Sequence, residues 1–123
     1  MTLTAAVMTA LAIKHFLGDY VFNPAYTVPV NKHIYGSKGS LEHTSMHMFW
    51  CIIMLVHILP ITVVILATLF DGFIHYHQDY FKTKFLFKHR GKEWLSKRVD
   101  RIITGADQLV HILTYIIIAT WMI

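Results

Sequence analysis

The chain has 123 residues, 55% of them hydrophobic and only 15% charged, with a formal net charge of +4. That length holds a single domain, residues 1–123, and a mean hydropathy of +0.50 excludes an ordinary soluble composition in favour of the membrane class. A lone cysteine, Cys51, set in an apolar run as packing filler, excludes an intrachain disulfide. Most basic residues lie between Lys82 and Arg101 with apolar segments on either side, which fits a cytoplasmic loop, so no nucleic acid is expected as a partner.

In chain order, a first helix is expected over about residues 2–22, apolar through Ile13 and then carrying Lys14, His15 and Asp19. Asn23-Pro24 ends it. It lacks a preceding basic region and a following cleavage site, and so reads as a retained helix instead of a signal peptide. Residues 23–39 read as a loop, with Pro24, Pro29, Gly36 and Gly39, and they carry Lys32, His33 and Lys38. Ser40 is the expected N-cap of the next helix, with His43 where a capping box would place Glu or Gln.

The apolar region from Met46 to Phe70 decides the topology. Run straight, it makes one tilted span and a three-span protein. Broken at Leu59-Pro60, it makes helices over about 41–59 and 61–85 and a four-span protein, because proline lacks the amide hydrogen and crowds the preceding turn. A continuous helix would set His43 about 48 Å from His75 at ~1.5 Å per residue, stranding two polar groups at opposite ends, whereas a hairpin returns both to one end. The segment of about 83–101 reads as a basic amphipathic loop with a short interfacial helix, and a last helix is expected over about 102–123. The expectation is therefore all-α: a polytopic integral membrane protein built as a four-transmembrane-helix bundle, with three spans as the alternative. The positive-inside rule places the 23–39 and 83–101 loops in the cytoplasm.

Helical positions four apart share a face, and each predicted helix carries one ionisable pair at that spacing: His15 with Asp19, His43 with His47, His75 with Asp79, Asp107 with His111. In the four-helix topology all eight fall at a similar depth near the cytoplasmic side. Ionisable groups inside a span are costly and normally face the bundle interior and mark a function. Imidazole and carboxylate on facing helices are how bundles build metal sites, so His15, Asp19, His43, His47, His75, Asp79, Asp107 and His111 are candidate ligands of a divalent metal such as zinc. Eight donors exceed one zinc, so either two metals bind or half the set supports the other half. Asp79 and Lys82 are the candidate catalytic residues, and Lys32, Lys82 and Gln108 the candidates for holding substrate. Asp71, one turn deeper than His75, is a possible ligand, orienting group or proton-relay carboxylate. His33, His57, His77 and His89 read as surface or interfacial. The competing structural reading is that the pairs merely join the helices by hydrogen bonds.

The ordered set His15-Phe16-Leu17-Gly18-Asp19-Tyr20, Lys32, His43, His75-x-x-x-Asp79-x-x-Lys82 and Asp107-Gln108-x-x-His111 resembles a family of small bacterial and phage integral membrane proteins catalogued as domain of unknown function 3307. Asn23 stands where that resemblance leads one to expect glutamine, and the basic stretch around Lys84–Arg98 is particular to this chain. The resemblance implies the membrane topology, a place in the inner membrane of a bacterium and this choice of residues, but no reaction. Three functions remain: a metal-dependent hydrolase of a lipid or lipid-linked phosphate, with membrane lipid as partner; a proton or divalent-cation transporter; and a non-catalytic interaction or host-modifying membrane protein whose polar cluster is structural. Oligomeric state is not legible.

Overall fold

The computed structural model describes residues 1–23 and 31–123; the expected loop prolines Pro24 and Pro29 lie outside the described residues. Four helices and no strands form the described chain: α1 (Leu3–Phe16, continued by a π-helical turn over Leu17–Val21), α2 (Lys38–Leu55), α3 (Ile61–Lys88) and α4 (Lys97–Trp121). Each helix packs on its two neighbours in the ring α1, α2, α3, α4, and across the ring, among the described residues, it is side chains that meet, as Lys14 of α1 meets Asp71 of α3. Successive helices run in opposite directions, so the end of α1, the start of α2, the end of α3 and the start of α4 meet at one end of the bundle.

Hydroxyl side chains start three of these helices by accepting an otherwise unpaired amide: Thr2 from Ala5, Ser37 from Ser40 and Ser96 from Val99. The cap of α2 is thus Ser37, not Ser40, and α2 begins three residues earlier than expected. The helix frays out after Leu55, where the amides of Ile58 and Leu59 both return to the Leu55 carbonyl. Pro60 follows in extended geometry, φ −56° and ψ 144°, and α3 begins directly after it. The chain therefore reverses at Pro60, and the straight helix of the three-span alternative is not formed. The basic segment differs too. Residues 83–88 extend α3, residues 97–101 open α4, and only a turn over His89–Ser96 remains, with Gly91 at φ +83°, a left-handed value that favours glycine. No separate interfacial helix stands between them.

The interior has two storeys. Val7, Leu11, Cys51, Leu55, Val64 and Ile118 are fully buried at the Pro60 end. The other storey is polar: His43, His47, His75, Asp79, Asp107 and His111 are all buried, and Lys14 and Asp71 lie fully buried between the two layers. The outside is the reverse. Ile65, Leu66, Leu69 and Phe73 on α3 and Leu109, Ile112, Leu113, Ile116 and Ile117 on α4 are exposed, Leu66 at 59%. By length and composition one described helix, α4, is apolar enough to cross a membrane, and one such helix is weak support for membrane localisation. The others fall short because α1 is interrupted by its π turn, and α2 and α3 devote one end to the polar storey.

Candidate metal centre

The geometry starts in the π turn that ends α1. Its wider winding carries Gly18 and Asp19 against α2. A Cβ at Gly18 would lie 2.5 Å from His47 Cε1 and 2.7 Å from its ring nitrogens, so only glycine lets the imidazole pass. Asp19 is thereby set between helices: Oδ1 lies 2.9 Å from His47 Nε2 and 3.2 Å from His43 Nε2, and Oδ2 lies 3.0 Å from His15 Nε2. From α3, His75 Nε2 comes within 3.2 Å of His43 Nε2, and Asp79 Oδ2 lies 3.4 Å from both nitrogens.

One nitrogen decides how this cluster should be understood. His43 Nε2 faces Asp19 Oδ1, His75 Nε2 and Asp79 Oδ2 at 3.2, 3.2 and 3.4 Å. A ring nitrogen carries at most one hydrogen, so hydrogen bonding cannot serve all three neighbours at once. The spacings are those of ligands around an ion: donors ~2.0–2.1 Å from a metal stand roughly 3.3 Å apart in a tetrahedron and about 2.9 Å apart as octahedral neighbours. Asp19, His43, His47 and His75 offer ligand atoms that all lie within 4.8 Å of one another, and this group is positioned to hold a metal ion.

A second group, Asp79, Asp107 and His111, meets the same distance test. It already has cations. Lys82 Nζ donates to Asp107 Oδ2 at 2.7 Å and lies 3.8 Å from Asp79 Oδ1, while Lys32 Nζ donates to Asp79 Oδ2 at 2.7 Å. A third ammonium, Lys14, pairs with Asp71 at 2.5 Å. Three of the four buried or half-buried aspartates are thus neutralised by lysine. Asp19 is the exception: its ion-pair partners within 4 Å among the described residues are all imidazoles.

Residues 7–123 match the family described as protein of unknown function (DUF3307). The chain belongs to that family. Neither a curated protein nor a solved structure matches it.

In this DUF3307 chain seven of the eight expected donors fall in these two groups, and His15 does not. His15 sits at the edge, bonded to Gln108 Oε1 at 2.8 Å and to the Tyr115 hydroxyl at 2.9 Å, and is not in either group of converging donors. Gln108 links His15 to the second group, since its amide nitrogen also lies 3.4 Å from Asp107 Oδ2. The four histidines expected at the surface stay apart from the cluster: His57 is exposed in the Pro60 turn, His33 stacks on Phe87 at 4.1 Å, His77 bonds the Tyr35 hydroxyl at 3.0 Å, and His89 caps the end of α3. Residue patterning missed Lys14, Tyr115 and Gly18. The motif Leu17-Gly18-Asp19 held a hint for Gly18, because a glycine beside a candidate ligand in a helix signals close approach. Lys14 and Tyr115 have partners only on other helices, and spacing within one helix cannot reveal those.

Proposed function

We propose that this protein is an integral membrane metalloenzyme that binds one divalent cation, with zinc the best match to the donor set, at Asp19, His43, His47 and His75. Its reaction on this reading is hydrolysis of a lipid or lipid-linked phosphate at the cytoplasmic leaflet of a bacterial inner membrane. The observation that carries the proposal is the convergence on His43 Nε2 beside Asp19, the one buried or half-buried aspartate with no lysine nitrogen within 4 Å among the described residues. A single ion is preferred to two because Lys82 and Lys32 already neutralise the second group.

The four-span topology is supported by the distribution of side chains, polar within and apolar on the outer faces of α3 and α4. On this topology the His89–Ser96 turn faces the cytoplasm. Bound at the site, a divalent cation would polarise a phosphoryl oxygen and acidify a water. Asp79, bordering the centre at 3.4 Å from two of the nitrogens, would accept a proton there as general base. Lys82 and Lys32, each half-buried at the mouth of the cluster, are placed to turn from their aspartates to the oxygens of an anionic headgroup. Passage of an ion through the bundle is less well supported, since the fully buried layer of Val7, Leu11, Leu55, Val64 and Ile118 closes the far half.

The test is phosphate release from a lipid-linked phosphate in vesicles containing the protein and zinc. Asp79→Asn and Lys82→Met are expected to lower the rate by about 100-fold or more while zinc stays bound, in keeping with the usual contribution of a positioned acid or base. Zinc-loaded protein that releases no phosphate, or an Asp79→Asn variant at full rate, contradicts the hydrolase reading.

A further inference from the structure

The direction of every hydrogen bond around His15 can be assigned. Its Nε2 lies 3.0 Å from Asp19 Oδ2 and 2.8 Å from Gln108 Oε1. A carboxylate only accepts. The Gln108 amide is oriented from its other end, where its nitrogen lies 3.4 Å from Asp107 Oδ2, so its carbonyl oxygen is the atom facing His15. Both neighbours of Nε2 are acceptors, and Nε2 therefore carries the hydrogen.

The other side of the ring gives the same answer independently. His15 Nδ1 lies 2.9 Å from the Tyr115 hydroxyl, and beyond that hydroxyl, at 3.4 Å, stands Lys14 Nζ. An ammonium only donates. Lys14 is held in place by Asp71 Oδ2 at 2.5 Å, and Lys14, Asp71 and Tyr115 are all buried, at 0%, 1% and 3% exposure. The tyrosine oxygen accepts from Lys14, which leaves the tyrosine hydrogen for His15 Nδ1. That nitrogen must then be the bare one of a neutral imidazole.

We propose that His15 is a positioning residue and not a metal ligand. It is a neutral imidazole protonated at Nε2, locked through Tyr115 by the buried Lys14–Asp71 pair, and it holds the outer oxygen of Asp19 so that Oδ1 faces His43 and His47. Neither of its nitrogens has a lone pair free for a metal. His43, His47 and His75 differ: their Nε2 atoms point into the centre, and their buried Nδ1 atoms have no hydrogen-bond partner among the described residues. The purpose of the relay rests on the metal-centre reading, whereas the tautomer follows from hydrogen-bond geometry alone.

The deciding experiment is long-range 1H–15N correlation on the full chain in detergent, labelled with 15N-histidine and free of metal, with His15 assigned by its disappearance in His15→Gln. The expected wild-type spectrum has a protonated Nε2 and a bare Nδ1, and in Tyr115→Phe the Nδ1 resonance shifts with the loss of its hydrogen bond while Nε2, still facing Asp19 and Gln108, stays protonated. A wild-type ring protonated at Nδ1, or at both nitrogens, overturns the proposal. Zinc titration supplies a second arm. His15→Gln keeps an N–H for Asp19 but no imidazole, and is expected to bind zinc within about tenfold of wild type, whereas His15→Ala binds roughly 10–100-fold more weakly, the usual cost of losing such a support. If His15→Gln loses zinc as completely as His75→Ala, His15 is a ligand and the proposal is overturned. A wild type that binds no zinc defeats the metal-centre reading instead, and the tautomer then decides this proposal by itself.

Discussion

Lys14 shows most clearly what individual residues contribute. It is a fully buried lysine whose ammonium is matched by Asp71 at 2.5 Å, with Tyr115 as a further acceptor at 3.4 Å. Removing either partner leaves a charge in an apolar surround, and such losses cost ~3–5 kcal/mol, whereas replacing both by apolar groups of similar volume is often neutral. Lys14→Met and Asp71→Leu are each expected to destabilise the bundle by that order, and the double variant to recover most of the loss. Thermal unfolding of the three variants in detergent checks this, and additive losses would contradict a shared ion pair. The same residue marks what spacing along the chain can reveal. The i, i+4 rule identified His15 with Asp19 and His75 with Asp79, because partners on one helix are four residues apart. Lys14 and Asp71 are 57 positions apart, and only the closing of the four-helix ring, with α1 across from α3, brings them together.

Among the elements, the π turn over Leu17–Val21 does what a regular helix end would not. It brings Gly18 against the His47 ring and Asp19 between His15, His43 and His47. Gly18→Ala is expected to push the His47 ring out of place, costing ~1–3 kcal/mol as overpacked sites do and weakening zinc binding at least tenfold. Gly105→Ala, where an added Cβ meets nothing within 4 Å, should change neither and serves as the control. Equal behaviour of the two variants would contradict the close approach. The chain reversal at Pro60 was legible because the polar pairs needed it. The extents of α3 and α4 were less so: Thr83–Lys88 and Lys97–Arg101 continue the helices, since basic side chains with good helix propensity propagate an existing turn once Ser96 caps the next helix.

The molecule as a whole is polar inside at one end and apolar over the outer faces of α3 and α4, an arrangement that suits lipid as surroundings. The proposed four-span topology puts the His89–Ser96 turn on the opposite side of the membrane from the Pro60 turn. Single cysteines at Lys92 and His57, both exposed, are expected to react with an impermeant thiol reagent from opposite sides of sealed cells, His57→Cys from outside and Lys92→Cys only after lysis. The native Cys51 is fully buried and should stay silent. Labelling of both positions from one side would contradict the topology.

The arrangement of four helices around one polar storey was foreseen from the recurring pairs, seven of whose eight residues fall in the two groups of converging donors. The division of labour within it was not, because it depends on which nitrogen faces which oxygen: His43 at the focus, His15 at the edge, Lys82 and Lys32 already paired to aspartates. The claim on which the functional reading depends is that Asp19, His43, His47 and His75 hold one divalent ion. Metal content of the detergent-purified full chain, measured beside His75→Ala at the same elution position, tests it most directly. The account predicts close to one zinc per wild-type chain and almost none in His75→Ala. A folded wild type that stays free of metal after incubation with zinc, or a His75→Ala variant that retains a full equivalent, would contradict it.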